Sequence, residues 1–325
     1  MDEATKDYFY SIFFRLEMYR RSGEEFQIFF SDLMFLTDPH FIKVAPFGGD
    51  GGNDGCVANK GHYYQIYAPK PTTPAHQTHK TVLQKSVTDF EKLNTHWNGQ
   101  TGLPNISEYY FVYNDRFQGI PPDIITTLAT LKSTYNLDNS ECIHSAIIEN
   151  HFDILTEKQK LKLLNRLPIN EVPFTVDPSA LGKLLQHLSN QNINSLGFLE
   201  IDVPIWDEKI KFNGISQNLD LKLKTNSLQG HRVRDYLKGS KSTDSQDIAQ
   251  QINNIYKESK IHLPDTLENS ADMRYFWIVD RLIPTDIFQT ASIPVLQAFR
   301  NASEIVLAHY FDTCDVYDNP NQLHA

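Results

Sequence analysis

The chain has 325 residues, enough for two or three domains at roughly 100–200 residues each. Apolar residues at 40% and aromatics at 12% exclude a disordered chain, and the formal charge of −10 confines any nucleic-acid binding to a local basic patch. Three scattered cysteines, Cys56, Cys142 and Cys314, exclude a disulfide framework and a cysteine zinc site, while an acidic N-terminus and the lack of a long apolar run predict a cytoplasmic protein with no membrane span.

In chain order, Phe9, Ile12, Phe13, Leu16 and Tyr19 recur at helical spacing and predict a helix over 4–22, interrupted by Ser22-Gly23. A second helix is predicted over 24–36, with Phe26, Phe29, Phe30, Leu33 and Met34 on one stripe and Asp38-Pro39 as its stop. Three short strands follow, at 41–45, 54–58 and 62–68. A glycine cluster at 48–52 precedes the second of them, and Asn59-Lys60-Gly61 turns it into the third as a hairpin. A helix over 77–97, a Tyr/Phe/Val strand over 108–114 and a helix from Pro121-Pro122 to about Tyr135 come next. Residues 1–150 thus read as an α/β domain, a mixed sheet flanked by helices.

Residues 151–200 read as a helical connector, clearest over 155–167, with a polar run near 190–205 marking a boundary. A strand-like piece at 197–206 opens a mostly α-helical C-terminal domain, residues 201–325, with helices over 244–258, 267–282 and 294–311. The last carries a core stripe of Val295, Ala298, Phe299, Ala302, Ile305 and Val306, and the Ser/Lys-rich 237–247 reads as an exposed loop. Between 207 and 241, eight basic residues stand against four acidic ones, whereas the last 25 residues hold four acids and no Lys or Arg. Such opposite patches invite a partner or a contact within the chain, and each alone also reads as a solvated face.

The chemistry concentrates in residues 23–70. Glu24 and Glu25 open the second helix, Asp54 opens a strand after the glycines, and Gln65 sits on the next strand. Metal-dependent phosphodiester hydrolysis needs hard oxygen ligands for Mg²⁺ and a cation near the attacking water. Residues i and i+2 of a strand share a face, so Gln65 shares one with Tyr63 and Tyr67. Blander readings stand beside this one. Asp50 and Asp54 suit an ordinary Gly-Asp turn, Gln65 an inward polar residue bonded to backbone, and Glu25 a first-turn acid favoured by the helix dipole. No GK[ST] follows the glycines, so they form no P-loop, and His76 and His79 read as solvated loop histidines.

The order helix acid, strand Asp, hairpin, Gln resembles nucleases of the PD-(D/E)XK type, especially their Gln-containing, Mrr-like branch. Gln27 stands where relatives often carry Glu, and Tyr67 stands two after Gln65, where the pattern has Lys. The resemblance implies that Glu25, Asp54 and the carbonyl of Ile66 hold Mg²⁺ or Mn²⁺, that Gln65 orients the water, and that Lys70 stabilises the developing charge. The stretch 207–241 would hold the DNA backbone.

The phrases GGDGGNDGCVANKGHYYQIYAPK (48–70), YYFVYNDRFQGIPP (109–122) and AHYFDTCDVYDNP (308–320) also resemble effectors of bacterial ABC-three-component, Lamassu-like antiphage defence systems. That resemblance implies an N-terminal restriction-endonuclease-like domain and partners: an SMC/Rad50-like ABC ATPase, a small accessory subunit, DNA, and further copies of the chain on activation. Two other functions compete with DNA cutting: a nuclease-like module that only docks DNA or partners, and an adaptor that tethers an ATPase.

Overall fold

The computed structural model describes residues 2–45, 51–100, 102–168, 176–190, 205–240, 244–313 and 316–320. Gly48, Gly49 and Asp50 of the glycine cluster, the strand-like 197–204, Lys241 and the Cys314-Asp315 pair lie outside the described residues. The chain divides into a sheet unit, Phe14–Leu164, and a helical unit, Met1–Phe13 with Asn165–Ala325. Helix α1 (Glu3–Arg20) is divided between them at Phe13/Phe14.

In the sheet unit, α2 (Gly23–Thr37) leads to β1 (Ile42–Lys43), β2 (Gly55–Val57) and β3 (His62–Tyr67). Then α3 (Ala75–Trp97) crosses to β4 (Glu108–Tyr113), and α4 (Pro122–Tyr135) to β5 (Asn139–His144), before α5 (Ser145–Asp153) and α6 (Glu157–Leu164). The sheet order is β1-β2-β3-β4-β5. The first three strands are antiparallel, and β3, β4 and β5 are parallel because helices carry the chain back between them.

Alternation along β3 sorts its side chains. Tyr63 packs into a buried cluster with Val82 and Phe90 of α3, Tyr109 and Phe111 of β4, and Ile124 and Leu128 of α4. Tyr64 turns to the opposite face, its ring 6.2 Å from Phe30 of α2 and 5.4 Å from Phe41. Strand β5 is absent from the sequence reading. Its residues, NSECIH, include types that strands disfavour, and its partner β4 imposes the strand through a six-residue parallel register. His76 and His79 sit on α3, not in a loop, and His79 lies 3.5 Å from Asp123.

The helical unit contains α7 (Pro178–Ser189), α8 (Trp206–Phe212), α9 (Gln217–Ser227), α10 (Gly230–Gly239), α11 (Ser245–His262), α12 (Ser270–Leu282), α13 (Thr285–Thr290) and α14 (Ile293–Thr313). Phe299, Ala302, Ile305 and Val306 of α14 are buried as their spacing predicts, while Val295 is exposed. Helix α12 is buried nearly all round, which marks it as the centre of this unit. Its Asp280 sits between Arg300 at 2.9 Å and Arg166 at 3.4 Å. Its Asp272 accepts from Tyr8 at 2.7 Å and from Ser216. The opposite charge patches meet inside the unit: Lys222 bonds Glu304 at 2.7 Å, and Lys209 donates to the Phe311 carbonyl at 2.8 Å. Among the described residues, no helix is long and apolar enough to cross a membrane.

Candidate active site

Asp54 ends the turn ahead of β2. Its backbone N–H donates to Tyr64 O at 3.0 Å, which extends the hairpin one residue and brings Asp54 opposite Gln65. Gly52, with φ +82°, fits under α3 so closely that an added Cβ would lie 2.1 Å from the Asp89 carbonyl. Only glycine makes that approach, which seats the Asp54 turn on the helix.

The Asp54 carboxylate is buried, and its Oδ2 accepts from the Ile66 N–H at 2.6 Å. Its Oδ1 lies 3.3 Å from Gln27 Nε2, and the same nitrogen lies 3.5 Å from the Ile66 carbonyl. Gln27 of α2 therefore spans two oxygens from different strands. Gln65 is also buried, and its Oε1 has no hydrogen-bond partner, so it is not the backbone-bonded glutamine of the bland reading. An unpartnered buried acceptor costs about 1–3 kcal/mol, which a ligand or water at that point would recover.

Glu25 and Lys70 share a cavity of about 650 Å³, lined also by Gly23, Glu24, Tyr67, Gln77 and Thr81. Tyr67, at the place of the expected lysine, stacks on Tyr113 with ring centroids 6.1 Å apart, and burial raises its hydroxyl pKa. Lys85 of α3 lies over the Tyr67 ring, 5.8 Å from its centroid, and pairs with Asp89 at 2.9 Å. The Tyr109 hydroxyl, which donates to Ser86 O at 3.2 Å, is held protonated first by complete burial and then by the charges of Asp89 and Asp54.

Asp54 Oδ1, the Ile66 carbonyl and Gln65 Oε1 are hard oxygens of the kind Mg²⁺ and Mn²⁺ take. A half-turn of the Gln27 amide would replace its nitrogen by Oε1 and add a fourth. The donor types fit a divalent ion with Asp54 as its one carboxylate. Among the described residues, no three His, Cys, Asp or Glu side chains are grouped to hold a metal. One of these residues escapes a reading by sequence order: Gln27 is visible only as a residue at the place of a glutamate.

Residues 179–318 match the family model of C-terminal domain 10 of the ABC-three component (ABC-3C) systems. No curated protein and no solved structure matches the chain.

Proposed function

We propose that this chain, whose residues 179–318 match a C-terminal domain of ABC-three-component systems, is the effector of an antiphage defence complex. In this reading the sheet unit is a restriction-endonuclease-like, Mg²⁺-dependent DNA nuclease. One observation supports it above the others: Asp54 Oδ1 and the Ile66 carbonyl converge on the Gln27 amide, and Gln65, opposite Asp54 in the hairpin, has a buried Oε1 without a partner. The partners are an SMC/Rad50-like ABC ATPase that senses foreign DNA, a small accessory subunit, and further copies of the chain on activation.

Asp54, the Ile66 carbonyl and the turned Gln27 amide would hold the ion. Bound there, Mg²⁺ lowers the pKa of a water and offsets charge on the phosphate. The Ile66 N–H fixes the Asp54 carboxylate, so it needs no rearrangement to serve. Gln65 Oε1 accepts a hydrogen bond from the attacking water and aims its lone pair at phosphorus. The water oxygen would bond phosphorus as the P–O bond to the leaving oxygen breaks, and the water's proton would pass through solvent to that oxygen, leaving a phosphate monoester and a free hydroxyl. Glu25 and Lys70 flank the approach through the neighbouring cavity. The stretch 207–241 contributes less to DNA binding than its composition implies, since Lys209, Lys222 and Lys224 are already engaged within the helical unit.

A second reading rests on Gln27 and Tyr67, a neutral amide and a phenol at the places of a carboxylate and a lysine. In that reading the same face docks DNA or partner subunits without cutting. Plasmid DNA incubated with the chain and its ATPase in Mg²⁺ or Mn²⁺ separates the two. Cutting that Asp54→Ala abolishes supports the nuclease. An inert wild-type protein in the assembled complex supports the docking module.

A further inference from the structure

The position two after Gln65 carries no cation, yet the structure brings one to that place from another element. Lys85 reaches the Tyr67 ring from α3, and its ammonium lies 5.8 Å from the ring centroid. Lys85 follows Gln77 and Thr81 at intervals of four residues, so the three form one stripe along the helix. The first two line the cavity that Tyr67 also lines. Asp89, buried one turn further on, forms an ion pair with the ammonium at 2.9 Å while its other oxygen takes Lys92 at 2.9 Å, and the Lys85 side chain keeps 36% of its surface exposed. A restrained, accessible ammonium beside an aromatic ring suits an anionic ligand better than a freely moving surface lysine does.

We propose that Lys85 is the residue whose ammonium contacts a nucleic-acid phosphate at the Asp54–Gln65 face, with Asp89 as the positioning residue that aims it. The inference deepens the proposed function and rests on its placing nucleic acid at this face. It assigns the cation in space where the strand sequence supplies none.

The test uses the full chain, titrated with a fluorescent DNA duplex in Ca²⁺ over a salt series. Lys85→Met keeps the aliphatic stem over Tyr67 and removes the charge. It is expected to lower the slope of log affinity against log salt by about 1, while Lys85→Arg retains the wild-type slope. A Lys85→Met protein with an unchanged slope overturns the assignment, as does a wild-type chain that binds no duplex. Cleavage in Mg²⁺ is read separately. A chain that binds through Lys85 without cutting keeps this assignment and loses the nuclease reading. A chain that cuts equally well after Lys85→Met keeps the nuclease reading and loses this assignment.

Discussion

The Gln27 amide reaches two oxygens at 3.3 and 3.5 Å, long bonds for a group that could make one short one. Both partners are oxygen acceptors, and the group between them is a neutral donor. Replacing that donor by an acid has a defined outcome. In Gln27→Glu two carboxylates meet near the Ile66 carbonyl, so the metal-free protein is expected to melt at a lower temperature than wild type. Added Mn²⁺ is expected to raise its Tm by more than it raises the wild-type Tm. Scanning fluorimetry with and without Mn²⁺ checks this, and a loss that Mn²⁺ does not recover contradicts it. At this scale the sequence was informative about residue types and silent about their meeting. Asp54 and Gln65 are legible because a hairpin fixes their register. Glu25 and Gln27 are two residues apart on a helix and so point in different directions, and only packing against the hairpin decides which one reaches Asp54.

Helix α3 does more for the site than its amphipathic pattern announces. It carries Lys85, it buries Val82, Phe90 and Leu93 against the sheet, and it seats the Gly51-Gly52 turn. Both glycines have positive φ, and Gly51 lies against His96 and Trp97. Gly52→Ala would force a methyl group onto the Asp89 carbonyl, so a loss of about 2 kcal/mol or more is expected in urea unfolding, together with a displaced Asp54. Wild-type stability in that variant would contradict the close seating. The helix itself is legible from its apolar spacing. Strand β5 is not, because its order comes from pairing with β4 and not from its own residues. The histidines of α3 mislead for the opposite reason: a proline just before them suggests a loop, although proline is also well suited to a helix start.

Across the molecule, the class of each half follows from its pattern: short runs rich in Tyr, Phe and Val where the sheet forms, 3.6-residue spacing where the helices gather. The opposite charge patches were legible as well, but their use was not, because only folding brings Lys222 to Glu304. Buried and half-buried histidines link stability to pH. His309 has its pKa lowered first by burial and then by the nearby Arg234, and burial lowers those of His151 and His187. Their native forms resist protonation, whereas the unfolded chain takes up protons near the ordinary value of about 6.5. Stability is therefore held above that pH and lost as pH falls below it. Denaturant unfolding is expected to give a lower stability at pH 5 than at pH 7, with a shallower decline in His309→Gln; an equally steep decline in that variant would refute a role for His309.

The measurement closest to the centre of the account is a calorimetric titration of the full chain with Mn²⁺. One site per wild-type chain is expected, and none in Asp54→Asn, which keeps the shape of the side chain and removes its charge. A wild-type chain that takes up no ion, or an Asp54→Asn chain that takes it up as well as wild type, would contradict the site built on Asp54.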